Sequence, residues 1–342
     1  MNERIRLVVL FGGRSAEHEV SCVTAVHVLE ALDPDRYDVL PVGITHEGRW
    51  VLAEEAQKLL AGGRPLSLPA ALEAAGPEVD PLPALAGGAS DLTTVVFPLL
   101  HGPFGEDGTV QGMLELAGVP YVGSGVLASA LAMDKAKAKE VLAHHGLPQG
   151  RWLAVRESAV PRSFDLGWPV FVKPANLGSS VGVSKVAGPE ELAAALGLAF
   201  SYDEWALVEE AIDGRELECG VLGNREPEAS VVGEVVRGRE FYGYEDKPVP
   251  DEVAAEVRRL ALEAFAALRC EGMARVDFFY EETGRGLLLN EVNTIPGFTP
   301  ISMYPKLWEA SGVSYSELVD RLVRLALERR ARRAGKIGRP RG

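Results

Sequence analysis

The spacing of apolar residues changes along the chain, and these changes divide it into predicted elements. Ile5 to Phe11 is a continuous apolar run, which is typical of a strand buried on both faces of a parallel sheet. Gly12-Gly13 ends this run, and apolar residues then recur at helical spacing from Cys22 to Leu32. Tyr37 to Ile44 and Thr94 to Leu100 are predicted as further strands. This alternation predicts an N-terminal open α/β domain.

Polar residues at the ends of apolar segments predict where the first helices begin. Ser15 is the predicted N-cap of the first helix, and Asp107 is the predicted cap of the helix that follows it. Residues 126–145 are predicted as a single helix. Residues 53–90 are rich in Ala, Gly and Pro and have little periodicity, so we expect a loop-and-helix insert there.

The second half of the chain predicts smaller units of α+β character, with antiparallel strands. Predicted strands are 168–173, 181–185, 205–212, two segments after Arg215 (ELECGVLG and SVVGEVV), ARVDFFY and LLLNEVN, and predicted helices are 190–200, 249–269 and 316–330. We therefore expect three domains, at residues 1–124, 125–213 and 214–342. The last domain ends in a basic tail from Arg329, which we expect to be solvated.

Composition narrows the possible partners and the compartment. The 342 residues carry a net charge of −14, which argues against nucleic acid as a partner. No apolar run approaches the ~20 residues that span a membrane, so no membrane partner is expected. The three cysteines are far apart and in no metal-ligand spacing, and no signal peptide is recognisable. These features predict a cytoplasmic protein.

Two late strands carry the most informative polar residues. Arg275 and Asp277 point to one side of the first strand, and Glu291 and Asn293 to one side of the second, because side chains alternate along a strand. If the strands pair, their oxygens gather into a cluster suited to Mg²⁺ or Mn²⁺. The alternative is a buried ion pair of Arg275 with Asp277 or Glu291.

A glycine- and serine-rich turn joins two strands in the middle of the chain. The segment PANLGSSVG lacks the G-K-[ST] of a P-loop, but its backbone N–H groups and hydroxyls can close over phosphates. Lys173, at the end of the strand before it, supplies a positive charge for a phosphate oxygen. The alternative is an ordinary flexible hairpin tip.

Four further polar residues allow two interpretations each. Lys135 either reaches a phosphate or is solvated. Glu209 is either an acceptor of hydrogen bonds from the adenine or the ribose of a nucleotide, or a solvated strand end. Glu17 is either a first-turn acid that matches the helix dipole or a receptor for a substrate ammonium. His101 follows a strand end, where open α/β sheets bind ligands, and is either a loop residue or a hydrogen-bond donor in the site.

Seven segments together resemble the D-alanine–D-alanine ligase family of the ATP-grasp superfamily. They are LFGGRSAEHEVS, HGPFGEDGTVQGMLE, VPYVGSGVLASALAMDKAKAK, WPVFVKPANLGSSVGVSKV, EFYGYEDK, ARVDFF and LLLNEVNTIPGFTPISMYP. Each segment is modest evidence, but the ordered set is highly specific and covers nearly the whole chain. The resemblance implies a three-domain ATP-grasp architecture of α/β and α+β units, with an N-terminal open parallel α/β domain.

The resemblance also implies roles for residues that would contact the two amino acids. Glu17 looks like the acid that binds the ammonium of the first D-alanine, and His101 like the histidine near that alanine's carboxylate. Arg275 resembles the arginine that stabilises the transition state. Gly297, through its backbone, and Ser302 resemble the positions that bind the second amino acid.

A second set of matching residues would hold ATP and metal ions. Lys135 and Lys173 resemble two lysines that hold the ATP phosphates, and Glu209 and Glu216 resemble acids that grip adenine and ribose. The implied ligands of two Mg²⁺ or Mn²⁺ ions are Asp277, Glu291 and Asn293.

Two loops complete the resemblance, and one of them departs from the family. Ser179 and Ser180 lie in the loop that resembles the one closing over the γ-phosphate, and Ser179 is expected to orient Glu17. Lys247 matches a further nucleotide contact, but Pro248 follows at once where the family usually has a tyrosine and a mobile lid. Either the lid is short or part of it is missing from this sequence, which leaves the second substrate open.

The resemblance implies ATP-dependent ligation of two D-alanines for peptidoglycan precursors, by a homodimer. Two alternatives remain at this stage. One is a ligase with another acceptor, such as D-lactate. The other is a nucleotide-binding regulatory module that does not turn over.

Overall fold

The computed structural model describes residues 4–62, 68–85, 92–161, 163–178, 180–235, 249–334 and 336. Two predicted site residues, Ser179 and Lys247, lie outside these ranges, as does the whole EFYGYEDK segment.

An open, mostly parallel sheet forms the N-terminal unit. Its strands are β1 (Ile5–Gly12), β2 (Tyr37–Ile44), β3 (Trp50–Leu52) and β4 (Thr93–Pro98), and its helices are α1 (His18–Ala31), α2 (Glu54–Ala61), α3 (Pro81–Leu85) and α4 (Thr109–Ala117). The strand order is β3-β2-β1-β4, with β1 parallel to both neighbours and only β3 antiparallel. The apolar run of β1 packs one face into each of two hydrophobic clusters, which confirms the predicted two-sided burial.

The start of the first helix differs from the prediction. Glu17, not Ser15, is the N-cap residue of α1, and it makes no side-chain cap. The Ser15 hydroxyl instead donates to the His101 carbonyl over 2.7 Å, which ties the loop after β1 to the loop after β4. At α4 the N-cap is Gly108, although the Asp107 carboxylate accepts from the Thr109 N–H over 2.9 Å.

The central unit is a four-stranded antiparallel sheet with three helices. Its elements are α5 (Val126–Met133), α6 (Lys135–His144), β5 (Trp152–Arg156), β6 (Val170–Pro174), β7 (Ser184–Val186), α7 (Pro189–Phe200) and β8 (Trp205–Glu210). The strand order is β5-β8-β6-β7. The prediction of one helix over 126–145 was wrong, because the chain leaves helical geometry at Asp134. The Asp134 carboxylate accepts from the Lys137 N–H over 3.0 Å and so caps the second helix.

A second antiparallel sheet forms the C-terminal unit. Its elements are β9 (Arg215–Gly223), β10 (Glu228–Val235), α8 (Asp251–Ala267), β11 (Gly272–Glu281), β12 (Gly286–Asn293), α9 (Met303–Ala310) and α10 (Tyr315–Ala334). The strand order is β10-β9-β11-β12, so the two strands with the polar residues pair directly. The antiparallel strands predicted for this half are therefore confirmed.

The expected solvated tail is wrong at its first residue, Arg329, while Arg330, Ala331 and Ala334 are exposed. Helix α10 continues through Ala334, and Arg329 is only 3 % exposed. Its guanidinium donates to the carbonyls of Tyr121 and Gly123 and lies 4.0 Å from the centre of the Tyr121 ring. A buried guanidinium is stable there because carbonyl oxygens and an aromatic face replace water.

Within the ranges that the structure describes, no helix combines the length and the apolar character needed to cross a membrane.

Candidate active site

One cleft gathers most of the polar side chains predicted to act together. It has a volume of about 600 Å³ and is lined by residues of the N-terminal, central and C-terminal units. The predicted site residues that line it are Glu17, His101, Lys135, Lys173, Ser180, Glu209, Glu216, Arg275, Glu291, Asn293 and Gly297. Parts of the chain separated by up to 280 positions therefore meet at one place.

Two predicted site residues lie beside the cleft instead of lining it. Asp277 is 9 % exposed and is covered by its contacts with Arg275 and Asn293. Ser302 is the N-cap residue of α9, and its hydroxyl contacts the Thr299 hydroxyl at 2.8 Å. A Cβ on Gly297 would lie 3.1 Å from that Ser302 hydroxyl, so there is little room for a larger residue at position 297.

The pairing of β11 with β12 builds the predicted acidic cluster. Asp277 lies opposite Glu291 and Arg275 opposite Asn293 in the antiparallel register. Arg275 donates to both carboxylate oxygens of Asp277, over 2.8 and 2.7 Å, and the Asn293 amide donates to Asp277 over 2.9 Å. The ion pair of the alternative interpretation is thus present, and it lies inside the same oxygen-rich cluster.

Glu218 on β9 is a third acid of this cluster that the sequence analysis missed. It lies opposite Asp277 in the register, and its Oε2 is 3.2 Å from Arg275 Nε, without hydrogen-bond geometry. Burial, with the Asp277 charge, raises the pKa of Glu218 to about 8. The alternation Glu216, Glu218 in RELECGVLG was the available signal, since it places two acids on one face of an otherwise apolar strand.

The cluster fits a divalent cation through its chemistry. Asp277, Glu291 and Asn293 place two carboxyl groups and an amide on one side of the paired strands, and Arg275, Lys135 and Lys173 are the cations around them. Among the described residues no three His, Cys, Asp or Glu side chains could hold a metal by themselves. Asp277 and Glu291 with the Asn293 amide oxygen would be the protein ligands, which matches the few carboxylates that Mg²⁺ takes. The amide nitrogen faces the acids here, and a turn of the amide would present its oxygen.

Two lysines share one carboxylate in the central unit. Lys173, at the end of β6, and Lys139, on α6, lie 2.5 and 2.8 Å from the two oxygens of Glu209 on β8. Burial opposes ionisation of Glu209, but the two ammonium groups hold its pKa at about 2. Glu209 is therefore a buried, ionised group and not a solvated strand end. Lys139 was not predicted, because a lysine in the helical run DKAKAK is ordinarily solvated.

Lys135 holds the glycine- and serine-rich turn. It is the first residue of α6, its ammonium donates to the Leu177 carbonyl over 2.6 Å, and its N–H donates to the Ala175 carbonyl over 3.0 Å. Lys135 is therefore engaged by the turn and is not simply solvated. Glu17 lies against the same turn, since a Cβ on Gly178 would be 3.1 Å from its carboxylate.

The N-terminal wall of the cleft holds two buried or half-buried titratable groups. His101 is 6 % exposed, and its Nε2 has no hydrogen-bond partner in the described part of the chain. Burial lowers the pKa of His101, which favours a neutral ring. Glu106, which the sequence analysis did not single out, accepts from the Gly102 N–H over 2.8 Å. Burial raises the pKa of Glu106 to about 8, so its carboxyl holds a proton at neutral pH.

Comparison with protein families matches two family models in chain order. The model described as "D-ala D-ala ligase N-terminus" matches residues 6–124, and the one described as "D-ala D-ala ligase C-terminus" matches residues 141–324. A curated relative, the D-alanine–D-alanine ligase of Deinococcus radiodurans, is 52 % identical over 348 residues, which cover 95 % of this chain and 99 % of that protein.

Solved structures of similar proteins cover nearly the whole chain. The D-alanine–D-alanine ligase from Coxiella burnetii has a TM-score of 0.81 at 36 % identity, with 98 % of both chains covered. The VanG D-Ala:D-Ser ligase from Enterococcus faecalis has a TM-score of 0.76 at 31 % identity, covering 95 % of this chain and all of that one. The D-alanine–D-alanine ligase from Bacillus anthracis complexed with ATP has a TM-score of 0.75 at 28 % identity, covering 96 % and 99 %.

Proposed function

This chain belongs to the D-alanine–D-alanine ligase family, and we propose that it joins two D-alanines into D-alanyl-D-alanine, with conversion of ATP to ADP and phosphate. The observation that carries the proposal is the cleft in which Lys135, Lys173, Arg275 and an acidic cluster converge. Its residues are of the types that hold a nucleotide, a metal ion and an amino acid. The dipeptide would serve the synthesis of peptidoglycan precursors.

The first step would transfer the γ-phosphoryl group of ATP to the carboxylate of the first D-alanine, giving an acyl phosphate and ADP. Two anions approach each other in this step, so the surroundings must supply positive charge. Lys135, Lys173 and Arg275 are cations that line the cleft and could supply it. Glu17 would bind the ammonium of the first D-alanine, and His101 would lie near the carboxylate of that alanine.

The nucleotide base and the metal ion have separate sets of residues in this proposal. Glu209 and Glu216 would accept hydrogen bonds from adenine and ribose, and both line the cleft. Asp277, Glu291 and Asn293 would hold Mg²⁺ or Mn²⁺. A bound divalent ion neutralises phosphate charge and polarises the reacting phosphoryl group. Ser180 and Ser179 of the turn would close over the γ-phosphate, and Lys247 would add a further contact.

The second step would be attack of the second D-alanine's amine on the acyl carbon. The resulting oxyanion requires hydrogen-bond donors, and Arg275 and the Gly297 N–H are the candidates that line the cleft. Ser302, which adjoins Gly297, would help to bind the carboxylate of the second amino acid. Phosphate then leaves, and no covalent protein intermediate is required.

A second candidate acceptor has a specific observation in its favour. One similar structure is a D-Ala:D-Ser ligase, so this architecture accepts other second substrates in that protein. The family tyrosine that follows the lysine of YEDK is absent from this sequence, where Pro248 stands instead. A ligase that joins D-alanine to D-lactate or D-serine is therefore the alternative.

ADP release and product mass together test the proposal. The purified protein is incubated with ATP, MgCl₂ and D-alanine alone, with D-alanine plus D-lactate or D-serine, and with L-alanine alone. We expect ADP and the dipeptide mass with D-alanine alone, and none with L-alanine. A mixed product without any dipeptide from D-alanine alone would favour the alternative acceptor. ATP binding without ADP in every mixture would indicate a regulatory module.

Replacement of Asp277 by Asn tests the metal-binding assignment. The substitution keeps the shape and removes one charge, so we expect ligation to fall by at least about 10²-fold. The fold should persist, because Glu218 remains close to Arg275. Ligation rates as a function of MgCl₂ concentration, with circular dichroism as the control for folding, make the measurement. Turnover close to that of the unchanged protein would contradict the assignment.

Three further features belong to the same proposal. We place the protein in the cytoplasm, because its three cysteines are free and buried, as in a reducing compartment. The homodimer expected from the family would be detected by light scattering during gel filtration. The domain ranges 1–124, 125–213 and 214–342 would be tested by limited proteolysis.

A further inference from the structure

Lys139 is a deeply buried charged residue with no role in the mechanism above. It is 3 % exposed on α6, and its ammonium lies 2.8 Å from Glu209 Oε1. Removing an ammonium from water is costly unless a carboxylate or other acceptors replace the water. Lys137, two residues earlier on the same helix, is exposed and pairs with Glu140 in the ordinary way of a surface lysine. The burial of Lys139 is therefore a specific feature of its position.

Glu209 contacts two ammonium groups, and the charge of Glu291 also acts on both of these lysines. Its second oxygen lies 2.5 Å from the Lys173 ammonium, so one carboxylate faces two cations. Both lysines line the cleft. If Lys139 were neutral, Glu209 and Lys173 would form a closed ion pair without net charge. A phosphate would then have to break a buried pair before it could use Lys173.

We propose that Lys139 is a positioning residue that neutralises Glu209 and thereby leaves the Lys173 ammonium available to the phosphates of a bound nucleotide. The inference rests on the proposed function only in its choice of an anionic nucleotide as the ligand. When phosphate engages Lys173, Glu209 retains Lys139 as its partner and stays ionised without competing for Lys173. The low pKa of Glu209, held at about 2 by Lys173 and Lys139 against burial, agrees with a carboxylate that is ionised throughout.

Nucleotide binding by charge-removing variants tests this role. Lys139→Met removes the charge, and Lys139→Gln removes it but keeps a hydrogen-bond donor for Glu209. Lys137→Met is the matched control on the exposed side of α6. Calorimetry measures the Kd of ADP with MgCl₂, and steady-state assays give the KM values for ATP and D-alanine. We expect both Lys139 variants to weaken ADP binding and to raise the KM for ATP at least tenfold. In the Lys139 variants the KM for D-alanine should stay within twofold of that of the unchanged protein. For Lys137→Met the Kd of ADP and both KM values should stay within the same range.

A double variant separates this role from a merely structural one. A Glu209→Gln background removes the carboxylate that contacts Lys173, so adding Lys139→Met should change the Kd of ADP less than twofold. An equal loss in both backgrounds would overturn the proposal, because Lys139 would then act on the nucleotide directly or through the fold. Unchanged ADP affinity in folded Lys139→Met protein, with only a lower melting temperature, would overturn it as well.

The test remains decisive if a variant does not fold or if the proposed reaction is wrong. Should Lys139→Met fail to fold, Lys139→Gln takes its place in both backgrounds, because its amide still satisfies Glu209. Unchanged protein that binds ADP but forms no dipeptide would refute the proposed ligation and leave the role of Lys139 intact. The binding measurement needs no acceptor and therefore reports on Lys139 alone.

Discussion

Two glutamates in the same cleft differ in protonation state, because their immediate partners differ. Glu209 contacts two ammonium groups, and its pKa is about 2 despite its burial. Glu106 is also withdrawn from water, but its hydrogen bond from the Gly102 N–H does not offset the effect of burial, and its pKa is about 8. The local partners of a carboxyl group, and not its residue type, therefore decide its charge at neutral pH.

The raised pKa of Glu106 predicts how stability changes with pH. An unfolded glutamate loses its proton near pH 4.3, whereas the folded group keeps it up to about pH 8. Between these values the folded state binds the extra proton, so stability falls as the pH rises, by up to about 1.4 kcal/mol per pH unit. Glu106→Gln has no titrating carboxyl group at this position and therefore removes this dependence of stability on pH.

Melting temperatures between pH 5 and pH 8 measure this effect. We expect Glu106→Gln to gain stability relative to the unchanged protein as the pH rises. Glu115→Gln is the control, because Glu115 is partly exposed and paired with Arg333. A constant difference between the Glu106 variant and the unchanged protein across the range would show that Glu106 is ionised in the folded state.

Strand alternation predicted the acidic cluster, but helical residues of the site were harder to predict. The period of two placed Arg275 with Asp277 and Glu291 with Asn293, and the register of β11 and β12 brought these pairs together. Lys139 lacks such a signal, because a lysine on a helix is solvated unless another unit covers it. Here Glu209 on strand β8 contacts Lys139, and the sequence of the helix does not specify this contact.

At the scale of elements, the division between α5 and α6 decides where Lys135 points. The helix ends at Met133, and Asp134 caps a new helix that begins with Lys135. Periodicity alone predicted one continuous helix, because apolar and small residues continue through the junction. An aspartate can cap a helix or lie within one, and the sequence pattern did not distinguish these cases.

Loss of the Asp134 cap should weaken α6. Asp134→Ala removes the acceptor for the Lys137 N–H, and we expect a loss of about 1 kcal/mol in the free energy of unfolding. Asp134→Asn, which keeps a capping oxygen, should lose much less. Urea unfolding followed by circular dichroism measures both variants. Equal losses in the two variants would show that the cap does not stabilise the helix.

At the scale of the whole molecule, α10 packs against both the N-terminal sheet and strand β9 of the C-terminal unit. One hydrophobic cluster contains Leu7 and Phe97 from the N-terminal sheet, Leu222 from β9, and Leu318 and Leu322 from α10. Arg329 extends this contact by binding the carbonyls of Tyr121 and Gly123. The N-terminal and C-terminal units thus share a core, although they are far apart in the sequence.

Removal of the Arg329 charge should destabilise this junction. Arg329→Met leaves two carbonyl oxygens without their donor, and we expect a loss of about 3 kcal/mol. Arg324→Met is the control, because Arg324 is exposed and its pair with Asp320 one helical turn away should contribute less than about 0.5 kcal/mol. Differential scanning calorimetry compares the two. Similar melting temperatures in both variants would contradict a joining role for Arg329.

The sequence by itself predicted most of the strands and helices, the residue types of the site and the family, but not the break between α5 and α6, strand β5 or helix α9. The predicted features are local properties, because periodicity and short ordered motifs depend on neighbouring positions. The tertiary structure decided that Lys139 and Arg329 are buried, that Glu218 joins the acidic cluster and that Glu106 holds a proton. Burial and charge depend on what distant elements place against a side chain, and only the assembled molecule specifies that contact.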